Sequence, residues 1–232
     1  MNELKLNNKR TILVGLAFLS ICSFWQMYDS VVPLILKKTF GMDESLTGAI
    51  MAADNILALF LLPLFGGLSD RTRGRLGRRT PYILAGTAGA VILMNLLPVL
   101  DNSYSREAAP FKLAAFVVTL GLLLIAMGIY RSPAVALMPD VTPKPLRSKA
   151  NAVINLMGAV GGILYLALAA LLYPTSKVAD LAHVNYQPLF VIVSLIMAAA
   201  VTVLLLTIRG PKLAAKNQEL EAKHPEWNLA QN

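Results

Sequence analysis

Charge is scarce in this chain. Of its 232 residues only 15% are Asp, Glu, Lys or Arg, against roughly 25% in an average soluble domain. A charged side chain at mid-membrane costs about 2.5–3.5 kcal/mol on insertion scales, so a chain made for lipid sheds such residues. Cysteine is scarcer still. Cys22 is alone, which excludes an intrachain disulfide and a thiolate metal cluster. Inside its apolar run it reads as a buried, inert thiol. Histidine occurs twice, as His183 and His224. There is no metal-ligand spacing, nucleophile elbow or phosphate loop, so the sequence predicts no enzyme, metal or cofactor.

What fills the chain instead is apolar: 56% of its residues are hydrophobic. They fall into six long runs, Thr11–Leu36, Leu46–Leu68, Pro81–Leu100, Leu113–Met138, Ala152–Tyr173 and Pro188–Ile208. A helix of about 20 apolar residues crosses the hydrocarbon core. Helix is required because backbone polar groups find no water in lipid. A barrel would need alternating strands of about ten residues, and these runs do not alternate. The first run is uncharged for 18 residues, Thr11 to Tyr28. That exceeds the roughly 7–15 residues of a signal-peptide core, and no small-residue cleavage site follows, so it reads as a retained membrane helix.

The expectation is an all-α membrane protein. Residues 1–10 form a cytoplasmic N-terminus, 11–208 a six-helix transmembrane bundle and 209–232 a cytoplasmic linker or tail. In that tail Pro211 and Pro225 read as helix breakers and Gln218–Asn232 as solvated. Three spans, a loop and three more spans suit the inverted 3+3 repeat of many transporters.

The formal net charge is +8. In a soluble protein that would raise nucleic-acid binding, but its distribution points elsewhere. Assigning the loops alternately to two sides puts Lys5, Lys9, Arg10, Arg71, Arg73, Arg75, Arg78, Arg79, Lys144, Arg147, Lys149, Arg209, Lys212, Lys216 and Lys223 together. The other side holds Lys37, Lys38, Arg106, Lys112 and Lys177. This bias predicts both termini in the cytoplasm, with the chain integral to the plasma membrane, the lipid bilayer as its partner and no nucleic acid.

The connection between the second and third spans reads GGLSDRTRGRLGRRTP from Gly66 to Pro81. Basic residues alone are explained by orientation, but their order is not. Gly66 and Gly67 allow close helix approach. Asp70 is placed to cap a neighbouring helix N-terminus. Gly77 permits a tight turn before Arg78 and Arg79, and Pro81 suits the first turn of the third span.

Gly66, Asp70, Arg71, Gly77, Arg78 and Arg79 resemble the loop motif of the major facilitator superfamily, with a longer gap at Arg73–Leu76. The stretched form, followed by Pro81, resembles the sucrose transporter and glycoside–pentoside–hexuronide:cation symporter branch. The stretch YRSPAVALMPDVTPKPLRSKAN from Tyr130 to Asn151 is similar to the same branch. The resemblance implies the six-helix N-terminal domain of such a transporter. In that family the loop stabilises the outward-facing state through the C-terminal domain. Asp140, ending the fourth span, is then a partner for Arg78 or Arg79 in a conformational latch; the alternative is a solvated helix-end acid.

Three ionisable residues lie within spans: Asp29, Asp54 and Arg131. Such residues usually face a bundle interior or cavity and mark ion or substrate routes. At 1.5 Å rise per residue Asp54 lies roughly 12 Å, and Asp29 roughly 10 Å, below the outer end of its span. Two carboxylates at one depth are candidates for proton or cation coupling, with H+ or Na+ as the ion. The alternative is a structural carboxylate bonded to Asn55, Tyr28 or backbone. Arg131 is a candidate for substrate hydroxyls or for a structural salt bridge; sucrose-type relatives carry their span-four arginine at a slightly different position. Trp25, Gln26, Tyr28 and Asn55 supply aromatic faces and amides suited to a sugar, although Trp25 is equally compatible with lipid-facing packing. Asn151 and Asn155, one turn apart, are candidates for the cavity wall, whereas Gly158, Gly161 and Gly162 read as packing residues.

These features predict half of a cation-coupled sugar or glycoside symporter working by alternating access against a second six-helix half, either a separate chain or a homodimer mate. The alternatives are a non-transporting membrane scaffold or sensor, and an inactive truncated half.

Overall fold

The computed structural model describes residues 5–74, 76–103, 109–178, 181, 183–208 and 210–227. Arg75, Arg106 and Arg209, counted above in the charge distribution, lie outside the described residues. The helices are α1 (Asn8–Lys38), α2 (Glu44–Arg71), α3 (Thr80–Asn102), α4 (Ala109–Val141), α5 (Arg147–Leu172), the single turn α6 (Thr175–Val178), α7 (Gln187–Thr207) and α8 (Gly210–Lys223). A 3-10 turn, Lys144–Leu146, leads into α5. Six of them, α1 to α5 and α7, are long and apolar enough to cross a membrane. They overrun the hydropathy runs because local capping continues the helix into polar sequence. The Asn7 side chain accepts from the Arg10 amide at 3.0 Å, and Asp43 accepts from the Leu46 amide at 2.7 Å. Each satisfies one of the orphan donors at a helix start.

Packing relates the two sets of three spans. Helix α1 lies against α5 and α7; α4 lies against α2 and α3; α3 lies against α7. Exchanging α1 with α4, α2 with α5 and α3 with α7 maps this pattern onto itself, as a 3+3 repeat requires. Two hydrogen bonds follow the same exchange. Ser23 on α1 donates to the Gly161 carbonyl on α5 at 2.8 Å, and Ser132 on α4 donates to the Leu62 carbonyl on α2 at 2.8 Å. Helices in lipid gain little from apolar burial against each other, so small residues and such polar bonds carry association. At Gly161 an added Cβ would stand 2.1 Å from the Leu19 carbonyl oxygen, so only glycine admits this approach of α1 and α5. Gly158 packs likewise against Cys22, which is half-buried rather than buried. Gly67 faces open space, and a Cβ at Gly162 would meet the Gln26 side chain at an ordinary 3.9 Å, so neither serves close packing.

The core lies between α1, α3, α4 and α7, where Phe24, Met27, Phe116, Met127, Tyr130 and Met197 are buried. Tyr130 and Ser20 share a 2.7 Å hydrogen bond across α4 and α1. In contrast α2 buries Thr47 and Ser69 and turns Ile56, Leu59, Phe60 and Leu64 outward. On α5 Leu156, Ile163 and Leu166 face outward as well.

Pro211 does not break helix as expected: residues 210–223 form α8, packed against α4 and ending before Pro225. Pro211 sits in its first turn, where a missing N–H costs nothing. Leu213, Ala214, Asn217, Leu220 and Glu221 turn inward at helical spacing. Asn217 is buried and donates to the carbonyls of Asp140 at 3.3 Å and Thr142 at 3.2 Å. Arg147 meets Glu221 at 2.9 Å.

Candidate functional site

Helices α1, α2 and α4 bring part of the membrane-embedded set together. Trp25, Asp54 and Arg131 line one crevice with Leu57, Leu61 and Gly128. The Arg131 guanidinium carbon sits 5.6 Å from the Trp25 ring centre, within reach of a cation–π attraction. Trp25 also meets Phe24 and Tyr28 edge to face, at 5.2 and 5.4 Å between ring centres. Among the described residues, the indole Nε1 and the Tyr28 hydroxyl are buried without a hydrogen-bond partner. Asp54 accepts from the Asn55 backbone amide at 2.6 Å and from its side-chain amide at 2.9 Å.

The crevice measures about 20 Å³, room for about one water. Ligand pockets for small molecules usually reach roughly 300–1,000 Å³. Gln26, Asn151 and Asn155 do not line it. Gln26 lies toward Gly162 of α5, and the Asn155 amide donates to the Asn151 carbonyl one turn earlier. Asp29, Asn55, Asn151 and Asn155 are exposed on α1, α2 and α5.

At the basic end, the connection between α2 and α3 closes on α4. Arg78 reaches one Asp140 oxygen at 2.8 Å and Arg79 the other at 3.0 Å. Arg79 further pairs with Asp70 at 2.6 Å and donates to Ser69 at 2.6 Å. Arg79 is 8% exposed, so its charge is offset by two carboxylates where water is excluded. The capping role anticipated for Asp70 is not what the structure shows: α3 starts without a side-chain cap, with Pro in its first turn, and Asp70 spends its charge on Arg79. Gly77 has φ +85, and a Cβ there would stand 2.3 Å from the Pro211 ring. Gly66 faces Ser132 of α4, and Arg71 is exposed.

Ser69, Asn217 and Glu221 were not singled out from sequence. The inward stripe of α8 was the available signal; Ser69 gave none, because its partner is set by the fold. His183, in the loop before α7, makes several polar contacts. It lies 2.9 Å from Asn102 Oδ1, 3.4 Å from Thr39 Oγ1 and 3.9 Å from the buried Asp101 carboxylate. Nearby, burial and then the Asp101 charge push the Tyr186 hydroxyl above its ordinary range.

Six apolar spans in two symmetry-related sets, with a charged crevice and an arginine–carboxylate cluster at one end, define an integral membrane protein of transporter architecture. A match to the Major Facilitator Superfamily covers residues 14–229, and the chain belongs to that family of transporters. It is 31% identical over 180 residues to solute carrier family 45 member 3 of Homo sapiens, covering 76% of this chain and 32% of that protein. A sucrose transport protein of Arabidopsis thaliana is 30% identical over 139 residues, 55% of this chain and 23% of the relative. The alpha-ketoglutarate permease of Escherichia coli is 28% identical over 144 residues, 61% of this chain and 30% of the relative. The chain thus spans about a third or less of the length of these relatives.

Proposed function

We propose that the chain supplies the six-helix N-terminal half of a secondary active symporter, moving a sugar or glycoside together with a proton or Na+. The observation that carries this reading is the exposure of Asp29, Asn55 and Asn155 on helices built to cross a membrane. In hydrocarbon such groups are costly, so the surfaces that carry them face a water-filled cavity or a second half. A crevice of about 20 Å³ is too small for a sugar, and a facing half completes the volume. Trp25 offers an apolar face for sugar C–H groups, Arg131 offers donors to hydroxyls, and Asp54 and Asp29 take and release the coupling ion. The likeness to a sucrose transport protein favours a sugar. Arg78, Arg79, Asp70 and Asp140 serve as the latch that holds one state of the alternating cycle, with both termini in the cytoplasm.

The test is uptake into proteoliposomes under an imposed proton gradient, for this chain alone and with a second six-helix half. The panel holds radiolabelled sugars and one dicarboxylate. Sugar uptake that collapses with an ionophore and with Asp54→Asn is expected. Dicarboxylate uptake alone would sink the sugar assignment, and gradient-independent uptake would sink the coupling.

A further inference from the structure

A second cavity, of about 250 Å³, opens at the basic end between the α2–α3 connection, the end of α4 and α8. It is about twelve-fold larger by volume than the crevice between the spans, and Arg78, Arg79 and Asp140 of the proposed latch form part of its wall. Its walls carry Arg73, Arg78, Arg79, Thr80 and Gln218, with Asp140 as the acidic member. Asp140 is already held by Arg78 and Arg79. One of the five donors of Arg78 is used on Asp140, and Arg73 makes no ion pair among the described residues. The first residues of α3 and α8, Thr80 and Gly210, also line the cavity. Thr72, just past the end of α2, and Asp140, in the last turn of α4, line it as well, so positive and negative helix ends offset one another and the arginines supply the positive field.

We propose that this cavity binds a phosphate group presented at the basic face of the bundle. Guanidinium donors in a concave, partly dry setting select phosphate by charge and by fork geometry. The phosphate comes either from a lipid headgroup or from a phosphorylated solute. Because Arg78, Arg79 and Asp140 line the cavity together with α8 residues, its occupant touches the latch. The inference is independent of the transported substrate.

The experiment is titration of the purified chain, in neutral detergent at fixed ionic strength, with inorganic phosphate and with short-chain phosphatidate. Binding of at least one probe is expected. Arg73→Gln should weaken it about tenfold, the loss of a charge-assisted hydrogen bond. Ala214→Leu keeps every charge but fills the cavity, and should weaken it as well. Lys177→Gln, at the opposite end, should leave it unchanged. Phosphate binding marks a soluble source, and phosphatidate binding without phosphate binding marks a lipid. Absence of binding by both probes overturns the proposal. So does unchanged affinity in Arg73→Gln or Ala214→Leu, or equal weakening in Lys177→Gln.

Discussion

Arg79 and Asp140 meet across the ends of α3 and α4, with the guanidinium Nε 3.0 Å from one carboxylate oxygen. Their side chains are 9% and 13% exposed. Removing Asp140 leaves the buried Arg79 with only the half-exposed Asp70 as counter-charge. Asp140→Ala should cost about 3 kcal/mol of stability, read as a lower unfolding midpoint in detergent.

Asp70 makes the opposite case. It pairs with the same arginine at 2.6 Å, yet its side chain is 54% exposed. Screening reduces such a pair to less than about 1 kcal/mol. Asp70→Ala should insert and fold nearly as the parent does while cutting transport in the assembled transporter. Parental transport rates in this variant would argue against the latch.

Contact between α1 and α5 depends on a missing methyl group. Gly161→Ala forces its Cβ against the Leu19 carbonyl and should cost about 3 kcal/mol or more through overpacking. Gly162→Ala, one residue on, where the new Cβ would meet Gln26 at an ordinary 3.9 Å, should be near neutral. Size-exclusion profiles of the two variants should differ, the first aggregating and the second monodisperse; matching profiles would mean that the helices do not touch this closely.

The serines related by the repeat allow a quantitative comparison. Ser23→Ala and Ser132→Ala each remove one interhelical hydrogen bond, expected to cost about 0.6 kcal/mol apiece. On separate helix pairs the effects should add to within about 0.5 kcal/mol. Denaturation of both single variants and the double variant checks this.

Docking of α8 rests on Asn217 and on the 2.9 Å pair between Glu221 and Arg147. Glu221→Ala should loosen α8 by about 1 kcal/mol. Hydrogen exchange within 210–223 should then accelerate severalfold, with the spans unchanged. Equal exchange would show that the apolar stripe alone holds the helix.

The six spans were legible because lipid is an unforgiving solvent. Long uncharged runs admit one solution, a helix, and the one-sided basic residues fixed an expected orientation. The loop motif was legible too, since the Gly77 turn and the Pro81 start act over a few residues. Other features were decided only by the tertiary structure. Arg79 and Asp140 lie 61 positions apart, and no local period says whether Asp140 takes Arg78, Arg79 or both. The polar segment after α7 looked solvated because its content is charged. It folds onto α4 because five inward positions at helical spacing find carbonyls and Arg147 already waiting there. The crevice follows the same rule: composition put Trp25, Asp54 and Arg131 in the membrane, and only the packing of α1, α2 and α4 put them side by side.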